Sequence, residues 1–202
     1  MGGQFIVVMP RQEMVVVFTS ALGGDKPIGY PLWLIEHKLL PGVFDRPQVY
    51  GEDAAQSLAA LSAQLSAPAA QAMPEAAKGF PFGKRIAFNQ KLFGPNGPKL
   101  YALTVTEDCV RIEQETGTVE AEYSWGAPKL NKADQPTFGG WRGHAPLSAQ
   151  ADWDEEKGLR LWLRSLGDVL TIRIDINVNG ETARTRVMST MGGVCDIEGR
   201  VE

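Results

Sequence analysis

The sequence predicts an α+β protein that is mostly β: an N-terminal β-hairpin with two helices, then an antiparallel meander of about eight strands forming a barrel or curled sheet. Three observations carry this. Two Val-rich runs, Phe5 to Met9 and Met14 to Phe18, flank the polar turn Pro10-Arg11-Gln12-Glu13, which is the pattern of a hairpin. Apolar residues recur at helical spacing between residues 31 and 65. From Lys84 onward, short alternating runs are separated by turn residues.

Taken in order, "FIVV" and "MVVVF" are apolar on both faces, which suits central strands covered on both sides. "PLWLIEHKLL", residues 31–40, puts Pro31 at a first helical turn, with Leu32, Ile35, Leu39 and Leu40 as the apolar positions of an amphipathic helix laid on the hairpin. The helix should stop at Pro41-Gly42. "EDAAQSLAALSAQL" opens with acidic residues and spaces Leu58, Leu61 and Leu65 for a second helix over 52–65. Residues 66–83, "SAPAAQAMPEAAKGFPFG", have the composition of an interdomain linker. The expected organisation is thus a hairpin-helix segment over 1–50, a helix and Ala/Pro linker over 51–83, and an antiparallel β domain over 84–202.

The expected strands of that domain run from Arg85 to Phe88, Leu100 to Thr106, Cys109 to Gln114, Val119 to Trp125, Leu147 to Trp153, Leu159 to Arg164, Val169 to Val178 and Glu181 to Met188. The clearest alternation sets Leu170, Ile172, Ile174, Ile176 and Val178 against Thr171, Arg173, Asp175 and Asn177. Asn179-Gly180 should turn that strand back in a two-residue hairpin. Closing the meander into a barrel is the simplest way to remove exposed edges. The stretch from Gly126 to Pro146, with three prolines, is expected to be a loop at one mouth.

Composition narrows the function. A net charge of -4 supplies no basic face for phosphate backbones, so nucleic acid is not expected as a partner. No run approaches the roughly 18 apolar residues that span a bilayer. The N-terminus lacks a basic region leading into an apolar stretch and a cleavage site, so the sequence predicts no export of the chain as it stands and leaves its compartment open. Two cysteines, Cys109 and Cys195, lack CxxC spacing and read as buried or incidental thiols, with one long-range disulfide as the alternative.

Motifs for chemistry are missing. There is no GxSxG elbow, no serine with lysine three residues later, no Tyr-x-Asn and no Lys-Thr-Gly. "GPNGP" is a turn rather than a phosphate loop, because no Lys-Ser/Thr helix start follows it. The two histidines, His37 and His144, lie far apart and outside any metal-ligand spacing, so neither a metal nor a cofactor is expected. His144 stands beside Trp141 and Arg142 in the glycine-rich "GGWRGHAP". Together with Trp125, Trp141 and His144 form the candidate small-molecule site at the mouth, set against the commoner role of strand tryptophans as core. Asp152 and Asp154 share a strand face around Trp153 and are expected to be solvated.

"GGQFIVVMPRQEMVVVFTS" followed by "PLWLIEHKLLPGV" resembles the end of the catalytic domain of β-lactamase-related serine hydrolases, the class C β-lactamase and penicillin-binding-protein-like family. Gly2, Gly3, Gln4, Pro10, Val15, Val16, Val17, Pro31, Leu32, Leu39 and Pro41 stand where that pattern expects them. Some members continue through a helix and an Ala/Pro linker into a small β domain, an arrangement that residues 51–202 resemble, with "GKRIAFNQ" at its start and "LYALTVTEDCVRIEQETG" after it. The resemblance implies that the hairpin is a remnant of a β-lactamase-like sheet and that Gly2, Gly3 and Gln4 neighbour the active-site strand of a longer parent hydrolysing ester or amide bonds. None of the family's catalytic motifs maps onto this chain, so no catalytic residue carries over and the chain alone is expected to be inactive. The alternative is a stand-alone, non-catalytic β-barrel module that binds a small ligand or a protein partner. If the chain is expressed alone, the hairpin's open edge should recruit another strand and give a homo-oligomer or aggregation.

Overall fold

The computed structural model describes residues 4–19, 26–43, 51–64, 68–136, 144–166, 170–190 and 193–202. The chain divides into two compact units, Met1–Pro68 and Ala69–Glu202. No described helix is long and apolar enough to cross a membrane.

In the first unit, β1 (Phe5–Met9) and β2 (Met14–Phe18) pair antiparallel from Phe5 opposite Phe18 to Met9 opposite Met14. A 3₁₀ turn over Pro10–Gln12 joins them, closed by the Glu13 N–H on the Pro10 carbonyl at 3.3 Å. The expected cover on both faces is absent among the described residues. Ile6, Val8, Val15 and Val17 stand 61–73% exposed on one face, and the Phe/Met side of the hairpin is only half-buried.

The first helix differs from expectation at its start. α1 spans Lys26–Leu34, so Pro31 lies inside it rather than at its first turn. Proline has no N–H to return to the preceding turn, and the helix ends irregularly, as a π-helical turn over Ile35–Leu39 and a 3₁₀ turn over Leu40–Gly42. Helix α2, Glu52–Gln64, begins where its acidic residues predict. Neither helix gives this unit a core: of its described side chains, only Pro31 and Ile35 are buried.

The second unit begins earlier than the sequence suggests, because residues 69–83 belong to it instead of linking to it. The Gln71 N–H reaches the Trp125 carbonyl at 2.9 Å, and the Gly83 N–H reaches that of Val105 at 2.7 Å. Between them a 3₁₀ turn, Glu75–Gly79, buries Ala77, and Phe80 packs into the core with its ring 5.0 Å from that of Phe82. Pro and Ala here shape a docked strap, where composition alone reads as linker.

Eleven strands follow: β3 (Arg85–Lys91), β4 (Lys99–Val105), β5 (Cys109–Gln114), β6 (Gly117–Glu122), β7 (Ser124–Trp125), β8 (Lys129–Pro136), β9 (His144–Asp154), β10 (Gly158–Ser165), β11 (Thr171–Asn179), β12 (Thr182–Ser189) and β13 (Val194–Val201). They form one sheet in the order β6-β5-β4-β3-β13-β12-β11-β10-β9-β7, with β8 also on β9. Chain neighbours β6 and β7 stand at opposite ends of that order, so the sheet curls into a nearly closed barrel. One face of most strands fills the interior with Leu, Ile, Val and Ala; Leu100, Leu103, Ile112, Leu159, Leu161 and Ile174 are almost completely buried.

Three expectations change here. The stretch expected to be a loop over Gly126–Pro146 contains β8, which pairs antiparallel with β9. Val194–Val201, unassigned from sequence, is the strand joining β12 to β3. Asn179 is opposite Thr182, so Gly180 and Glu181 are the turn's central residues, and the left-handed one is Gly180 at φ 61°.

Asn131 completes the closure. Its Oδ1 accepts the Glu122 N–H at 2.9 Å and its Nδ2 donates to the Glu122 carbonyl at 2.8 Å, so a side-chain amide replaces a ladder peptide between β8 and β6. Lys129 Nζ holds Glu122 Oε2 at 2.6 Å beside it. Asn131→Ala is expected to destabilise the unit by about 1–2 kcal/mol, with Asn131→Asp intermediate because it keeps only the acceptor. Urea unfolding of the three proteins measures this.

Candidate functional site

The most organised polar cluster lies on the outer face of β9–β13. Along β10 and β11 the period of two points leucines and isoleucines inward and sends Arg160, Trp162 and Arg164, then Arg173 and Asp175, outward. Register then aligns Asp152 with Arg160, Arg160 with Asp175, Asp175 with Arg186, and Arg186 with Asp196. Five strands thereby contribute a row of alternating charge.

Asp175 is at its centre and is only 4% exposed, although it occupies an outward position. Arg160 Nε donates to Asp175 Oδ1 at 2.8 Å, and Arg173 Nε donates to the same oxygen at 3.0 Å. Arg160 also reaches Asp154 Oδ2 at 2.6 Å through Nη2. Burial alone would push the Asp175 carboxyl up, but hydrogen bonds and charge from Arg173 and Arg160 outweigh it and hold the pKa below its ordinary value. Asp154 is held low in the same way, its desolvation overcome by the Lys157 N–H, Arg160 and the Glu156 N–H. The expected solvated pair Asp152 and Asp154 is therefore engaged: Asp152 Oδ2 accepts Trp162 Nε1–H at 3.1 Å. The guanidinium carbons of Arg164 and Arg173 lie 5.8 and 5.5 Å from the Trp162 ring centroid.

Beside this row is an open depression of about 790 Å³, lined by Lys157, Asp175, Asn177, Arg184, Arg186 and Asp196 among others. Gly158 permits the close strand approach next to it: its φ is 77°, and a Cβ there would lie 2.4 Å from the Ile176 carbonyl oxygen. Arg184 and Arg186 are held loosely, at 3.7 Å from Glu198 and Asp196 respectively. Their donors are thus less committed than those of Arg160 and Arg173.

The arrangement suits binding more than catalysis. The central carboxylates are clamped by arginine and are poor bases near neutral pH. Among the described residues no group of three His, Cys, Asp or Glu side chains is placed to hold a metal ion.

The sequence-derived candidates are not assembled into one site by the described residues. Trp125 is buried, edge-on to Tyr123 at 5.9 Å, with its Nε1 donating to the Glu107 carbonyl at 3.3 Å. His144 opens β9 opposite Pro136, and its side chain lies outside the described residues, as do Trp141, Gly2 and Gly3. Gln4 is exposed immediately before β1. Arg160, Arg173 and Asp175 were visible as alternating charges in "LRLWLRS" and "TIRIDINVN", but strand register decides which of them meet.

Both cysteines are free, so the disulfide alternative is not formed. Cys109 lines a second depression of about 640 Å³ with Asp108, Arg111, Glu120, Glu122 and Asn131. Burial, followed by the charges of Glu120 and Asp108, pushes its thiol up. Iodoacetamide at pH 8 is expected to alkylate Cys109 several-fold more slowly than it does in the urea-unfolded chain, read by peptide mass spectrometry.

Comparison with known proteins finds no match for this chain among family models, curated proteins or solved structures.

Proposed function

We propose that this chain is the C-terminal part of a β-lactamase-related serine hydrolase. The hairpin and α1 complete the sheet of the hydrolytic domain, and the barrel-like unit is a non-catalytic module appended to it. The supporting observation is the first unit's lack of a core: two Val-rich strands leave Ile6, Val8, Val15 and Val17 largely exposed, and only Pro31 and Ile35 are buried among its described side chains. Strands apolar on both faces suit the interior of a layered α/β sheet and are poorly matched to a free hairpin.

The test has two arms. Reading the in-frame DNA upstream of the Met1 codon should find a serine-x-x-lysine followed by a tyrosine-x-asparagine. The 202-residue chain alone should leave a chromogenic ester intact, and the chain extended by those upstream residues should hydrolyse it. A stop codon immediately upstream, or serine-dependent turnover by the short chain, overturns the proposal.

The depression beside Asp175 favours a second reading, a stand-alone module that binds a small polar ligand. A thermal-shift screen of sugars, peptidoglycan fragments and lipid headgroups tests it, because a ligand selective for the folded state raises the melting temperature. Arg184→Ala and Arg186→Ala should abolish such a shift.

A further inference from the structure

We propose that the β11–β12 turn is a self-modification site: the Asn179 side chain condenses with the Gly180 amide, loses ammonia and leaves isoaspartate at position 179, which slackens the turn's hold on β13. Two asparagines in the chain precede glycine, Asn96 and Asn179. A following glycine favours the condensation, because no side chain obstructs its amide nitrogen and its backbone turns freely. The dipeptides are the same, and their surroundings separate them.

Asn96–Gly97 is locked. The Gly97 N–H donates to the Gly94 carbonyl at 3.1 Å, and the chain is so close-packed there that a Cβ on Gly97 would lie 1.5 Å from the Leu92 carbonyl oxygen. The Leu92 N–H on the Pro98 carbonyl at 2.9 Å and Lys91 Nζ on the Pro95 carbonyl at 2.8 Å brace the same loop. Its glycine amide cannot turn onto the Asn96 side chain without breaking that loop open. At the other site Asn179 and Gly180 are both exposed, and nothing lies within 4 Å of where a Gly180 Cβ would stand. Gly180 is the first central residue of a two-residue turn, and its N–H has no acceptor among the described residues.

The chemistry needs only water. The deprotonated Gly180 nitrogen attacks Asn179 Cγ, a C–N bond forms, the bond to Nδ2 breaks, and Nδ2 leaves as ammonia after taking up a proton. Water then opens the five-membered imide at either carbonyl, so one water is consumed for each ammonia released. Opening at the main-chain carbonyl gives isoaspartate, in which the chain runs through Cβ and Cγ and is one carbon longer. The turn has no slack for that carbon, since only Gly180 and Glu181 separate Asn179 from its partner Thr182. The Glu181 carbonyl accepts the Val201 N–H at 2.8 Å and its Oε2 accepts Arg200 Nη2 at 3.3 Å, where Arg200 and Val201 pair with Ala87 and Ile86. Moving Glu181 therefore loosens the end of the strand that joins β12 to β3. All of these residues lie in the barrel-like unit, so the inference stands apart from the hydrolase reading.

The full chain is aged, folded, at mildly alkaline pH, and peptide chromatography with mass spectrometry separates asparaginyl, aspartyl and isoaspartyl forms. Position 179 should react several-fold faster than position 96. In urea, where both glycine amides are released, the two rates should converge. The isoaspartyl fraction should unfold at a lower urea concentration than the fresh chain, whereas Asn179→Asp, which adds a charge without the extra carbon, should match the fresh chain. Equal rates in the folded chain, faster reaction at Asn96, or an Asn179 still intact once the unfolded chain has reacted overturns the modification site. An isoaspartyl form as stable as the fresh chain, or an Asn179→Asp chain weakened as much as the isoaspartyl form, overturns the effect on β13.

Discussion

Asp175→Asn is expected to destabilise the barrel-like unit by about 1.5–3 kcal/mol at neutral pH, because it takes the charged acceptor from Arg160 and Arg173 at the edge of the depression. The Asp175 side chain is only 4% exposed and both arginine side chains are mostly buried, so solvent from the depression makes up only part of the lost charge. The pH dependence follows from the depressed carboxyl. A group whose folded pKa is below its unfolded value contributes fully above the unfolded pKa, here 3.8, and loses that contribution as pH falls through the folded value. Urea midpoints of the wild type should therefore drop steeply below about pH 4, while those of Asp175→Asn drop less, so the two curves converge in acid. Parallel curves would show that the pair contributes nothing specific.

The neighbouring residue gives an effect of similar size and different character. Ile174 is fully buried, with Leu161 and Val187 opposite it on the flanking strands. Ile174→Ala should cost about 2–5 kcal/mol through lost transfer energy and the cavity left behind. No titratable group is involved, so its difference from wild type should stay constant across the acid range in which that of Asp175→Asn shrinks. Adjacent positions on one strand thus separate packing from electrostatics in the same urea experiment.

Alternation made much of the β unit legible. "LRLWLRS" and "TIRIDINVN" place their inward and outward residues correctly, and Cys109 to Gln114 is a strand with the bounds the sequence predicts. What escaped depends on partners that a strand's own pattern does not name. β8 has few apolar residues and exists by pairing with β9 and through the amide of Asn131. β13 mixes charge and glycine in "VCDIEGRV", where Gly199 admits Phe88 and Ile86: a Cβ there would lie 2.5 and 2.8 Å from their atoms. The charged row was hidden for the same reason, since Asp175 can be recognised as buried only once Arg160 and Arg173 are known to flank it. In the first unit the hairpin was legible from its turn and valines, but local pattern could not reveal that its Ile/Val face is left bare among the described residues.

The pairing of β13 with β3 also bears on how the unit is made. Arg200 and Val201 bond across to Ala87 and Ile86, so the strand that joins the two halves of the sheet is supplied more than a hundred residues after its partner. During synthesis this pairing cannot form until Val201 has left the ribosome. Such late, distant pairing makes folding slow and exposes the nascent chain to association with other strands. Removing the last few residues of β13 should therefore reduce soluble yield far more than it reduces the number of contacts, since it leaves the nascent sheet permanently unzipped.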